Sequence, residues 1–279
     1  MADDPLPEVA PEQVALDPLE PAPVPPTPPL TSNGLPPISY IQVEIPLFKT
    51  LLPNPEAPIL LAIDTCTMRS SVALRDAHTL RAECTWESDR HHTAAVSAQI
   101  QKLMESCAID PERLGAVAVA TGPGSFTGVR CGLAIAKGIA TARSLPLVGV
   151  STFDVVAAAQ PYSPHAAERP LVVLVEIGRS RVAVCPYEWR EGRPRIAGEW
   201  RIQSWQEFAA SVDPTAWVCG DVAPKFAALL DKRISIAPPT YNLRRAGTLA
   251  ELGYARWQAG ETDNPMTLMP IYPPENVGG

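Results

Sequence analysis

The sequence has few of the residues from which metal sites and disulfide frameworks are built. It contains four histidines, His78, His91, His92 and His165, and none of them forms an HxxxH or HExxH pattern. Its six cysteines are scattered without a CxxC pair. These absences argue against a zinc site, a metal-dependent peptidase and a small disulfide-stapled domain. We expect no metal site and six inert thiols in a reducing compartment.

Long apolar runs are also missing. No run approaches the roughly 20 residues that a membrane-spanning helix requires. Asp3 and Asp4 stand where a secretory signal peptide carries Lys or Arg, and no apolar segment follows them. We therefore expect a cytoplasmic protein that does not contact a membrane.

An excess of positive charge is absent as well. The net charge is −7, and residues 1–57 alone hold eight acidic residues and one basic residue, Lys49. The remaining 222 residues are therefore neutral. The same segment, with Pro58, contains 16 of the 32 prolines, which favour extended chain over helix or sheet. This pattern predicts a disordered acidic tail, and the neutral body argues against strong nucleic-acid binding by this chain alone.

What the sequence does contain is an alternation of strand and helix signals from Ile59 onward. Three strand-like runs precede a helix with apolar residues at helical spacing, and then strand and helix alternate. A weaker alternation of strand and helix signals follows after Pro161. The order predicts an α/β protein with two lobes. We expect a tail over 1–57, a first lobe over 58–160, a second lobe over 161–245, a helix over 246–262 that returns to the first lobe, and an irregular end over 263–279.

A glycine-rich turn opens the most distinctive helix, in the sequence TGPGSFTGVRCGLAIAKGIATAR (Thr121 to Arg143). Ser125 is placed to cap the helix, and free N–H groups at such a start attract anions. The turn lacks the GxxxxGK[ST] spacing of a Walker loop. Two interpretations stay open. The turn only begins a helix, or it forms a nucleotide or phosphate loop from Asp64, Thr65, Gly122, Gly124, Ser125 and Thr127.

The helix itself carries a stripe of small residues, Gly128, Gly132, Ala136 and Ala140, each four positions from the last. Apolar residues cover much of its remaining surface, which predicts burial on more than one side. The stripe would let another backbone approach closely, either in this chain's own core or in a second subunit. Arg130 either reaches an anion across such an interface or flanks the helix in solvent.

Four segments, ILLAIDTCTMRSSVAL, RHHTAAVSAQIQKLM, GPGSFTGVRCGLAIAKGIA and LPLVGVSTFDVVA, occur in this order between Ile59 and Ala159. In sequence and spacing they resemble the TsaB (YeaZ) family, most specifically through GPGSFTGVR. The resemblance is loose beyond Pro161. It implies an actin-like fold of the ASKHA type and a non-catalytic role in N6-threonylcarbamoyladenosine synthesis on tRNA, next to the anticodon.

The resemblance also implies partners. They are the catalytic subunit TsaD, the ATPase TsaE, a second copy of the chain when TsaD is absent, and tRNA only through the complex. In the family, the first helix and the glycine-turn helix form the dimer contact. That places the interface here at His92, Thr93, Val96, Gly128, Arg130, Gly132, Ala136 and Ala140. No cofactor is expected on this chain alone, although ATP or ADP could sit at the subunit interface.

One local comparison favours catalytic silence. TsaD-like sequences continue from LxGV with NHxxxH, whose histidines bind a metal, whereas Thr152 and Val156 stand at those positions here. The alternative is an ATPase that acts on its own through Asp64, Thr65 and the glycine turn. The family's Asp-Ala-Arg segment is altered to Ile177, Gly178 and Arg179, which puts the contacts of the second lobe in doubt.

Overall fold

The computed structural model describes residues 58–87, 92–162, 168–178, 180–230 and 232–272. The predicted tail over 1–57 lies outside these residues, as does Arg179. The strands are β1 Ile59–Asp64, β2 Arg69–Arg75, β3 Leu80–Glu87, β4 Leu114–Ala120, β5 Leu147–Val150, β6 Leu171–Glu176, β7 Arg181–Arg190, β8 Arg193–Ile196, β9 Arg201–Ser204, β10 Trp217–Gly220 and β11 Ser235–Ile236. The helices are α1 His92–Ser106, α2 Phe126–Arg143, α3 Thr152–Ala158, α4 Trp205–Ser211, α5 Pro224–Ala227, α6 Pro239–Asn242 and α7 Ala246–Gln258, with a 3₁₀ turn at Pro111–Arg113.

The first sheet has the order β3-β2-β1-β4-β5. Strand β1 pairs antiparallel with β2 and parallel with β4. The three predicted strands therefore form an antiparallel meander that continues into a parallel half. All six residues of β1 are buried. A strand covered on two faces reads as a continuous apolar run, which is how ILLAID appears in the sequence.

Helices cover the two faces of this sheet. Val96 and Ile100 of α1 pack with Leu133 of α2 against one face. Leu249 and Ala250 of α7 pack against the other face. The C-terminal helix α7 therefore belongs to the first sheet, although the whole second sheet precedes it in the chain.

The second sheet has the order β11-β10-β6-β7-β8, and β9 pairs with β7. Phe153 and Val156 of α3 pack on one face, and Trp205 and Phe208 of α4 on the other. Because α3 directly follows β5 of the first sheet, it joins the two lobes. Both lobes lie in one compact unit of the chain.

The predicted α/β architecture of two lobes is confirmed. No signal in the sequence predicts β8, β9 and β11, which are short and carry no alternation of apolar residues. Strand β8 reads RPRI, and its place in the sheet is set by pairing with β7. Helix α5 is also short and covers only Pro224–Ala227.

Candidate functional site

The glycine turn is packed against the segment that follows β1. A Cβ atom on Gly124 would lie 2.1 Å from the Cys66 carbonyl oxygen, and one on Gly128 would lie 2.1 Å from the Thr65 carbonyl oxygen. On Gly132 it would lie 2.4 Å from Thr65 Oγ1. Only glycine fits at these distances, because a side chain would collide with backbone or with a buried hydroxyl. The glycines therefore allow α2 to approach the end of β1.

Hydrogen bonds fix the same contact. The Ser125 backbone N–H donates to the Cys66 carbonyl at 2.6 Å, and Thr65 Oγ1 donates to the Gly128 carbonyl at 2.6 Å. Asp64 Oδ1 accepts from the Cys66 N–H at 2.8 Å. Ser125 Oγ accepts from the Gly128 N–H at 3.4 Å, which caps α2. The turn thus begins a helix and uses several of its polar groups within this chain.

The six candidate phosphate-loop residues are not all brought to one open surface. Asp64, Thr65 and Gly122 are buried, and Thr127 is exposed on the first turn of α2. Only Gly124 and Ser125 line the cleft between the lobes.

Most of the candidate interface residues of the two helices are buried within this chain. Val96 of α1 is buried, as are the four small residues Gly128, Gly132, Ala136 and Ala140 of α2. The side chains of His92 and Thr93 lie outside the described part of the chain. The small-residue stripe therefore packs within this chain, and assignment of these residues to a partner contact stays a prediction.

The outer face of α2 carries a second set of small residues that sequence reasoning missed. Thr127, Ala134 and Gly138 recur along one side of the helix and are exposed. A groove of about 900 Å³ runs between α1 and α2 at Ala134 and Gly138. The larger apolar side chains that line it are Ile100, Met104, Ile109, Ile135 and Ile139.

Arg130 lies at the start of α2 and is exposed. Its guanidinium carbon lies 3.7 Å from the centre of the Phe126 ring, and its Nε donates to the Tyr272 hydroxyl at 2.5 Å. A cation above an aromatic face is held electrostatically. The residue therefore joins the C-terminal segment to α2, and a role for it at a subunit interface stays a prediction.

A cleft of about 680 Å³ separates the two lobes. Glu176 at the end of β6 and Asp221 just after β10 line it, together with Asn242 and Arg244. Ligands of open α/β sheets bind outside the carboxyl ends of the strands, which is where this cleft lies. It is therefore the part of the described chain best placed to receive a small molecule.

The side chain of Arg244 stands between the two lobes. Its Nη1 lies 3.1 Å from Asp221 Oδ2, and its Nε lies 3.6 Å from Asp64 Oδ2. A further hydrogen bond runs to Thr67 Oγ1. Asp64 is buried and does not line the cleft, whereas Arg244 does. A fixed cation thus compensates the buried Asp64 carboxylate and reaches across to Asp221.

The Asp221 carboxylate affects the pKa values of two other charged groups in the cleft, Arg244 and Glu176. Burial by itself would lower the pKa of Arg244, but Asp221 and then Asp64 outweigh it and raise that pKa above its ordinary value. The pKa of Glu176 is raised, first by burial and then by the nearby Asp221 carboxylate. Nothing in the sequence pointed to Arg244 or Asp221, because Asp64 and Asp221 meet at Arg244 only through the fold.

Three of the six thiols are buried. They are Cys66, Cys185 and Cys219, and the other three are partly exposed. Burial raises the pKa of Cys66 and Cys219, and it raises that of Cys185 to about 11. A raised pKa keeps the unreactive thiol form.

Among the described residues, no group of three or more His, Cys, Asp or Glu side chains is arranged to hold a metal ion. None of the described helices is both long enough and apolar enough to cross a bilayer.

Comparison with known proteins gives three kinds of match. A family model described as "TsaD: tRNA N6-adenosine threonylcarbamoyltransferase" matches residues 85–210. The tRNA threonylcarbamoyladenosine biosynthesis protein TsaB of Escherichia coli is 40% identical over 98 residues, which are 35% of this chain and 42% of that protein. The protein of the same name in Bacillus subtilis is 34% identical over 99 residues, or 36% and 43% of the two chains. The matches thus span less than half the length of these relatives.

Among solved structures, YeaZ from Pseudomonas aeruginosa superposes with a TM-score of 0.64 at 22% identity. It covers 77% of this chain and 99% of that one. This likeness shows the fold. The two lobes, their sheets and the cleft between them define a two-lobed α/β fold like that of YeaZ. Its sequence is similar to those of TsaB proteins over part of their length.

Proposed function

We propose that this chain is a non-catalytic subunit in the synthesis of N6-threonylcarbamoyladenosine on tRNA. It binds and activates the catalytic transferase subunit, TsaD, through the outer faces of α1 and α2. The ATPase TsaE joins the same complex, and tRNA is reached through the complex. The proposal is supported by the names of the relatives, which are biosynthesis proteins of this modification.

The observation that carries the partner role is the groove between α1 and α2. Its floor is apolar, from Met104 and Ile135 among others, and its rim holds the exposed polar residues Gln101 and Glu105. An apolar centre inside a polar rim is the usual composition of a protein interface. Gly138 has no atom within 4 Å of the place where a Cβ would stand, so another helix can approach α2 closely there. The same surface would serve a homodimer when TsaD is absent.

Catalytic silence is supported by the cleft. In the alternative function, Asp64 would help to activate water beside a nucleotide phosphate. Here Asp64 is buried, accepts a local backbone N–H and lies 3.6 Å from the guanidinium of Arg244. A carboxylate neutralised in this way is poorly placed to hold the cation of a nucleotide. A nucleotide shared with the partner subunit stays part of the proposal.

The test is a matched pair of substitutions at exposed helical alanines on opposite faces of the first sheet. Ala134→Arg places a long cation in the α1–α2 groove, whereas Ala255→Arg places the same side chain on α7. Light scattering of each variant mixed with TsaD of the same organism measures assembly. We expect Ala134→Arg to abolish the heterodimer and the tRNA modification, and Ala255→Arg to leave them unchanged.

Melting temperatures of the two variants should match the unsubstituted chain, because the positions are exposed. A stable heterodimer with Ala134→Arg would contradict the proposed interface. ATP turnover by the isolated chain, lost on Asp64→Asn, would instead support the ATPase alternative.

A further inference from the structure

One end of the second sheet presents a face of arginines. In the antiparallel pairing of β7 with β8, Arg190 stands opposite Arg193, and Glu188 stands opposite Arg195. Arg201 of β9 pairs with Val184 of β7. Because side chains alternate across a strand, Arg190, Arg193, Arg195 and Arg201 lie on the same face. All four are exposed, and we call them the arginine face.

Few negative charges offset this face. Glu188 shares it but is bound to Arg190 at 2.5 Å. Glu191 lies in the β7–β8 turn and Glu199 in the loop before β9. Among the described residues, no carboxylate lies within ion-pair distance of Arg193 or Arg195.

The arrangement is unfavourable for the fold itself. Like charges directly opposite each other on neighbouring strands repel, and Arg190 and Arg193 are such a pair. The body of the chain is neutral, so this local excess of cations is not a consequence of composition. An anion bound across the face would relieve the repulsion.

We infer that the arginine face binds the phosphate backbone of RNA, and that it supplies a tRNA contact from this subunit within the proposed complex. This inference rests on the proposed function for the identity of the RNA. Guanidinium groups bind phosphate oxygens through paired N–H donors, and a row of them on an edge hairpin can follow successive phosphates.

A neighbouring aromatic pair favours RNA over an acidic protein. Tyr162 and Trp189 lie on the other face of the same hairpin end, with ring centres 5.2 Å apart. The side chain of Tyr162 is half exposed. RNA-binding proteins stack unpaired bases on aromatic rings of this kind, next to cations that hold the backbone. The arginines and this pair therefore lie on opposite faces of the β7–β8 hairpin, near the same end.

The experiment measures tRNA affinity of the complex of this chain with TsaD over a range of salt concentrations. In Arg193→Gln/Arg195→Gln, we expect weaker binding and a slope of log K against log salt that is smaller by about 1 for each arginine removed. The control Lys225→Gln/Lys232→Gln removes the same charge from exposed positions near the opposite edge of the sheet, and we expect its slope to stay unchanged. Arg193→Lys/Arg195→Lys should restore most of the slope, because it restores the charge.

An unchanged slope in Arg193→Gln/Arg195→Gln would overturn the inference. So would loss of the heterodimer in that variant, which would make the face a protein contact. If the unsubstituted chain forms no complex with TsaD, the proposed function fails, and the same titration is made on the isolated chain. RNA binding that depends on Arg193 and Arg195 then supports the arginine face, and absence of RNA binding overturns it.

Discussion

Asp76 shows how one buried carboxylate organises a turn. It directly follows β2. Its Oδ1 accepts hydrogen bonds from the backbone N–H groups of His78 and Thr79, each at 2.8 Å. Its Oδ2 also lies 3.1 Å from Nη1 of Arg81. Burial by itself would raise the pKa of Asp76, but the two N–H donors and Arg81 outweigh it and lower that pKa. The ionised form is therefore the one that stabilises the β2–β3 turn.

A lowered pKa in the folded state stabilises the protein above the unfolded pKa, and the contribution is lost as the pH falls through the folded value. We predict that Asp76→Asn reduces the free energy of unfolding by about 2 kcal/mol at pH 7. The difference from the unsubstituted chain should shrink as the pH falls below about 4. Urea unfolding over this pH range measures it.

The control for Asp76 is Glu87→Gln. Glu87 pairs with Arg69 at 3.3 Å, but the two side chains are 79% and 50% exposed. Exposed ion pairs contribute little, so the loss should stay below about 1 kcal/mol. Equal losses for the two variants at every pH would contradict the role given to Asp76.

At the scale of elements, the contact between β1 and α2 decides how the first lobe is built. The two elements approach so closely that Gly128 and Gly132 have no room for a side chain. Gly138, on the outer face of the same helix, has open space around it. The two faces of α2 therefore use small residues for different reasons, one for internal packing and one at an exposed surface.

This difference predicts opposite effects of one substitution. Gly138→Ala should stabilise the chain by up to about 1 kcal/mol, because alanine favours helix and nothing obstructs its methyl group. Gly128→Ala should destabilise it by about 1–3 kcal/mol, because the methyl group would displace the Thr65 backbone. Thermal unfolding of the two variants compares them directly. Effects of the same sign would show that the two faces are not distinct.

At the scale of the whole molecule, the two lobes meet at Arg244. Asp64 ends β1 of the first sheet, and Asp221 follows β10 of the second sheet. Arg244 lies two residues before helix α7. The side chains of Asp64 and Arg244 are 1% and 4% exposed. Removal of one partner from a buried ion pair leaves an uncompensated charge, which is costly.

We predict that Arg244→Met lowers the free energy of unfolding by about 3 kcal/mol, measured in urea. Addition of Asp64→Asn should recover part of this loss, since it removes the unpaired buried charge. The surface control Arg69→Met breaks an exposed pair and should cost less than about 1 kcal/mol. Arg244→Met as stable as Arg69→Met would mean that the guanidinium does not hold the lobes.

Much of the first lobe was predictable because its signals are local. The apolar run ILLAID, the Ser125 cap and the helical spacing of Val96 and Ile100 each act within a few residues. The second lobe was harder, because strands such as β8 have no apolar pattern of their own and form by pairing with β7. The candidate site was predictable only in part, since Asp64 and Ser125 were singled out but their surroundings were not.

The sequence by itself determined the order of elements in the first lobe, the presence of two lobes and the close packing of the glycine-rich helix. These features follow from the backbone propensities of residues and from the spacing of apolar residues, and short stretches of sequence show both. The tertiary structure decided which face of α2 is open, that Arg244 lies between Asp64 and Asp221, and that four arginines share one face. Such features depend on distances between residues remote in the sequence, and only the packed sheets and helices fix those distances.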